Sequence, residues 1–187
     1  LWAKEQFDGK YTIQSLNEKI NSKDAEFGHL ILGNKLIFSS LKADSISAGE
    51  EVYSKNYRTH LYEIELSESQ MSTPKLISEL NFDQLNSGNG VFSLDSSRFY
   101  FSLCSENGHE YRCKIMVAQY RDGKWFNVDS LGSIINEAGS NTTMPAIAQW
   151  DGNEILIFAS DRAGTGGTAA DPARRARGNA RASVSPC

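Results

Sequence analysis

Residues that usually carry chemistry are scarce in this 187-residue chain: three Cys, three His, three Met and four Pro. The three histidines, His29, His60 and His109, lie far apart and enter no His-x-x-His or His-Cys pattern, so no metal site is expected. There is no Gly-x-Ser-x-Gly elbow, the nucleophile motif of α/β-hydrolase-type serine peptidases, so that nucleophile is not expected in this piece. Ser72-Thr-Pro-Lys75 fits Ser-x-x-Lys, but that pair needs a helix to bring Lys under Ser, and Pro74 in a strand-like run argues against one. Gly164-Thr-Gly-Gly167 lacks the Lys-Ser/Thr of a phosphate-binding loop and reads as a turn. Long apolar runs are also missing. The longest are strand-sized, so no bilayer-spanning helix is expected. Residue 1 is Leu, and Leu1–Lys10 has no basic head followed by an apolar run, so a signal peptide is not expected and the chain reads as an internal cut of something longer. Catalytic, cofactor and metal residues are therefore all expected to be none.

Charge narrows the partners. Lys and Arg total 19 against 23 Asp and Glu, a net charge of -4, which gives no general attraction to nucleic acid or anionic lipid. The distribution is uneven. From Ala169 the chain reads AADPARRARGNARASVSPC, with Arg174, Arg175, Arg177 and Arg181 against the single acid Asp171, so the body is more acidic than the whole. Residues 169–187 cannot bury enough apolar surface to fold alone and are read as a disordered or non-native tail.

The body alternates polar and apolar residues over short runs bounded by Gly, Asn, Asp and Ser, the period of strands. Such runs are Lys35–Ser40, His60–Leu66, Arg98–Leu103, Lys114–Tyr120 and Glu154–Ser160. Helix signals at Ile46–Lys55 and Ile134–Gly139 lack sustained 3.6-residue spacing. The predicted fold class is all-β.

Three segments superpose: Gly28–Ser40, Gly90–Ser102 and Pro145–Ser160. Each is a strand, a turn on Gly33-Asn34, Asp95-Ser96-Ser97 or Asp151-Gly152-Asn153, and a second strand, aligning Phe38, Phe101 and Phe158. Third strands follow at His60–Leu66 and Tyr111–Tyr120, and fourth strands at Pro74–Leu80 and Lys124–Leu131. A strand at Lys10–Leu16 precedes, and Ile20-Asn21 and Ile135-Asn136 link units. A four-stranded antiparallel unit of this length is what a propeller blade is. The aromatics Phe38, Phe99, Phe101, Trp125, Trp150 and Phe158 fall at equivalent strand positions and read as packing between units. Asp95, in Ser93-Leu-Asp95-Ser-Ser-Arg, reads as holding its hairpin through hydrogen bonds to the backbone. Asn141-Thr-Thr is a formal glycosylation sequon.

These segments, the Ile-Asn links and above all Phe158-Ala-Ser-Asp161-Arg162-Ala-Gly164-Thr-Gly166-Gly167 resemble the TolB-type, WD-repeat-like β-propeller repeats of bacterial cell-envelope proteins. They are most similar to repeats that precede an OmpA-like peptidoglycan-binding domain or belong to gliding and type IX secretion machinery in Bacteroidetes-like bacteria. The resemblance covers about residues 5–167. It implies a partial propeller over 1–168, with blade units at about 27–80, 89–131 and 143–167 and a strand of the preceding blade at 10–16. It departs from the pattern after Gly167, where the Arg/Ala tail begins and the third strand of the last unit is expected to be missing, at Lys114, and at the insertion Leu41–Asn56.

What the resemblance implies for function is a non-enzymatic scaffold in the periplasm or at the outer membrane. Its partners would be envelope proteins, and peptidoglycan through a domain not present here, with no nucleic acid and no direct membrane insertion. The alternative is the propeller of a serine peptidase or glycan-processing hydrolase whose catalytic part lies elsewhere. With an envelope location, and a loop between strands, Cys104 and Cys113 are expected to form a disulfide. They are opposite only if the turn centres between Gly108 and His109, which also sets Phe101 against Met116 and Tyr100 against Val117; an Asn107-Gly108 turn pairs Cys104 with Tyr111 instead.

Overall fold

The computed structural model describes residues 16, 18, 20–43, 57–66, 72–107, 110–163 and 179–183. The expected strand 10–16, the insertion Leu41–Asn56, the glycines Gly164, Gly166 and Gly167, and most of the tail lie wholly or largely outside them.

Eleven strands form three antiparallel sheets among the described residues. The first sheet holds β1 (Ala25–Leu32), β2 (Lys35–Ala43), β3 (Tyr57–Glu65) and β4 (Lys75–Leu76) in that order. The second holds β5 (Asn86–Phe92), β6 (Arg98–Asn107), β7 (Glu110–Arg121) and β8 (Lys124–Ser130). The third is β9 (Thr142–Trp150), β10 (Asn153–Ser160) and β11 (Asn179–Ser183), with β10 central. The all-β class and the four-stranded unit stand; the described residues form no closed ring. Turn chemistry sets the hairpins. Asp122-Gly123 and Asp151-Gly152 take paired positive φ values of 52° and 76°, and 49° and 78°, the two-residue turn that matches strand twist.

Alternation along β6 shows how the sheets stack. Phe99, Phe101 and Leu103 face back into a core with Ile37 and Leu61 of the first sheet, while Tyr100 faces forward onto Leu156 and Phe158 of the third. The first sheet does the same: Ile37 faces forward, and Leu36 and Phe38 face back onto Ile20. Two-sided burial is why the central strands depart from strict alternation, with Leu36-Ile37-Phe38 and Phe99-Tyr100-Phe101 apolar at consecutive positions. Phe99 has no free space in front of it. A Cβ on Gly90 would stand 1.9 Å from its Cζ, so the glycine is the seat of the ring.

Three expectations are corrected. Pro74–Leu80 is no full strand: only Lys75 and Leu76 pair with β3, and Ser78–Leu80 is a 3-10 turn that drives Leu80 into the core. Trp150, expected to pack between units, is 65% exposed at the end of β9, beside the Asp151-Gly152 turn. The third strand of the last unit is present. Asn179–Ser183, in the Arg/Ala tail, pairs with β10 from Ile155↔Ser183 to Ala159↔Asn179. A ladder needs only backbone donors and acceptors, so a segment unable to fold alone can still add to a formed edge.

Candidate functional site at the disulfide end of the sheets

Each first strand carries a bulge at the same place. Register shifts fall between Phe27 and Leu30, Gly88 and Val91, and opposite Ile157/Ala159, and the bulged residues Gly28, Asn89 and Met144 have φ of 62°, 51° and 53°. The bulge turns an amide away from its own ladder and toward the preceding sheet. Asn89 N donates to Ser39 Oγ at 3.0 Å, and Met144 N donates to Ser102 Oγ at 3.0 Å. Ser39 and Ser102 occupy equivalent positions on β2 and β6, one after Phe38 and one after Phe101.

A second device ties each third strand to the linker that follows. Asn81 Oδ1 accepts from Leu61 N at 2.9 Å, and its Nδ2 donates to Leu61 O at 2.9 Å. Asn136 repeats this with Ile115, at 2.8 Å in both directions. Five residues later, Asn86 Oδ1 accepts from Thr59 N and Asn141 Oδ1 from Cys113 N, both at 2.9 Å. The Ile135-Asn136 link seen in sequence is thus a bracket on strand edges. Leu80-Asn81 is its unrecognised equivalent, hidden because Leu replaces Ile; Leu80 is fully buried.

Cys104 and Cys113 are joined as a disulfide, directly opposite in the ladder, with Phe101 against Met116 and Tyr100 against Val117. Pairing extends to Asn107↔Glu110, so the strands run further than the sequence pattern suggests. The disulfide lies on the forward face beside the linker to β9, through the Cys113–Asn141 bond.

The remaining named residues hold turns. Asp95 Oδ1 accepts from Ser93 Oγ at 2.6 Å, Ser97 N at 3.0 Å and Ser97 Oγ at 2.8 Å. The Ser93 hydroxyl, followed by the Ser97 amide and hydroxyl, lowers the Asp95 pKa from 3.8 to about 2. Asp151 and Gly152 make the β9–β10 turn. Asp161 accepts from Asn141 N at 2.6 Å and Asn141 Nδ2 at 2.9 Å, closing the mouth of the third sheet. Arg162 lies over the Phe158 ring at 5.2 Å and donates to the carbonyls of Ile134 and Ile135.

Together these pieces shape an open groove of about 390 Å³ where the three first strands meet the disulfide end. Its polar lining is carboxamide and hydroxyl, from Asn86, Asn89, Asn141, Thr59 and Thr143; its apolar lining includes Phe27, Tyr111 and Met144. Asn141 and Thr143 are engaged by Asp161 and Ser102. Tyr111 is 49% exposed, and burial of the rest of its ring raises its pKa. Of the groove residues, sequence reasoning singled out only the cysteines and the Asn141-Thr-Thr sequon, and it gave neither a place in a groove, because bulges at 28, 89 and 144 leave no trace in a two-residue period.

No group of three His, Cys, Asp or Glu among the described residues could hold a metal ion. Comparison with protein-family models, curated proteins and solved structures finds no match.

Proposed function

We propose that the chain is part of a non-enzymatic β-propeller scaffold that presents the ends of its sheets to protein partners of the bacterial cell envelope. The observation that carries this reading is a packing step made twice with equivalent residues. Phe101 and Phe158 each pack back on the preceding sheet, and Ile37 and Tyr100 each pack forward on the next. Ile157 is the next residue in that forward series, and it is only half-buried where Ile37 and Tyr100 are fully buried. Sheets that step by one relation bury their faces against further sheets, and closing into a ring is the arrangement that protects every edge.

Faces used for packing are not available to partners, which leaves the sheet ends. Exposed apolar side chains gather there: Tyr57, Tyr111, Met144 and Ile134 at the disulfide end, Leu94, Phe126 and Trp150 at the other. The resemblance to TolB-type repeats supports an envelope location, and the disulfide is compatible with an oxidising compartment. The test is photo-crosslinking in cells, with the probe at Ile134 for one end and Leu94 for the other. The scaffold reading expects discrete protein adducts from one end. Absence of adducts from both positions sinks it.

A further inference from the structure

We propose that the groove at the disulfide end is a binding site for a neutral saccharide, a role beyond the protein scaffold. The ligand class follows first from charge. Among the described residues no Asp, Glu, Lys or Arg lines the groove, so a charged ligand would lose hydration there without gaining a counter-charge from them.

Hydrogen-bonding capacity points the same way. Asn86 spends its Oδ1 on Thr59 N, and Asn89 spends its backbone amide on Ser39. The Nδ2 of Asn86 and the whole carboxamide of Asn89 have no partner among the described residues. A carboxamide donates through nitrogen and accepts through oxygen, which matches a hydroxyl that does both. Beside these groups stand Phe27 and Tyr111, whose rings can lie against the C–H face of a pyranose while the hydroxyls reach the amides. The volume, about 390 Å³, is in the range of small-molecule sites of roughly 300–1,000 Å³.

An extended peptide fits less well. Strand addition needs a continuous ladder edge, and β1, β5 and β9 are each broken by a bulge at this level. At β5 and β9 the bulged amides are already taken by Ser39 and Ser102.

The test is titration calorimetry of the full chain with cellotetraose, chitotetraose and mannotetraose, with tetragalacturonate as the acidic control. Saturable binding of at least one neutral oligosaccharide is expected. Asn89→Gly removes the carboxamide while keeping a residue at ease with φ of 51°, and it should weaken binding by about tenfold or more. Tyr111→Ala, at an exposed position, should do likewise with an unchanged melting temperature, and it decides the matter alone if Asn89→Gly does not fold. Leu94→Ala, at the opposite end, should leave affinity unchanged. The proposal is overturned if no neutral oligosaccharide saturates the protein, if tetragalacturonate binds more tightly than all three, or if affinity survives both groove substitutions.

Discussion

The interface between the first and second sheets and that between the second and third use the same backbone devices with different fillings. Both have a serine hydroxyl receiving a bulged amide and a paired set of asparagines bracketing a third strand. The first interface is filled with aromatic surface: Phe99 touches Phe92, Phe101 and Trp125 at centroid separations of 4.9, 5.9 and 5.2 Å. Among the described residues the second has no pair of stacked or edge-on rings, and it adds polar ties. Glu154 of β10 reaches across to Arg98 Nη2 at 3.1 Å and to Leu94 N at 2.8 Å. The difference teaches that the geometry of stacking is held by backbone capture, whereas its strength is set locally by whatever side chains fill the gap.

Phe99→Ala should break the comparison most strongly. It empties the centre of the first interface and should cost about 3–5 kcal/mol in chemical denaturation, with the loss confined to the first two sheets in hydrogen exchange. Asn81→Ala and Asn136→Ala should each cost about 1–3 kcal/mol, because a strand amide loses its acceptor while the carbonyl of Leu61 or Ile115 keeps only the amide of Ile77 or Leu131. Equal effects at the two sites would confirm that the brackets are equivalent. A difference of more than about 1.5 kcal/mol would show that side-chain filling governs them too.

Glu154→Gln should cost about 1 kcal/mol and remove part of the salt dependence of stability, since the pair with Arg98 is only partly buried. A substitution with no salt effect would reduce the second interface to apolar packing. The smallest effect is the Asp95 hairpin. Its folded pKa of about 2 lies below the usual 3.8, so its contribution is present above pH 4 and fades as pH falls toward 2. Asp95→Asn should flatten that acid limb slightly in urea midpoints measured from pH 5 to 2, slightly because the carboxylate is solvent-screened.

The hairpins were legible because their signals are local. Asp122-Gly123 and Asp151-Gly152 state their turns in two residues, and Phe38, Phe101 and Phe158 mark one position in three repeats. The groove was not legible, because its members are brought together across sheets. Ser39 meets Asn89 fifty residues away, and Asn141 meets Cys113 across twenty-eight. Side chains that satisfy distant backbone groups obey no period.

By itself, then, the amino-acid order determined an all-β chain of repeated antiparallel hairpins, since alternation and turn residues act over two to four positions. It also placed the cysteines where one register makes them opposite. Tertiary structure decided that register, the bulges at Gly28, Asn89 and Met144, the exposure of Trp150, and the recruitment of Asn179–Ser183 to a free edge. The bulged amides of Asn89 and Met144 answer hydroxyls of a neighbouring sheet, and Asn179–Ser183 answers the unpaired backbone of an edge, partners that exist only once the sheets have formed.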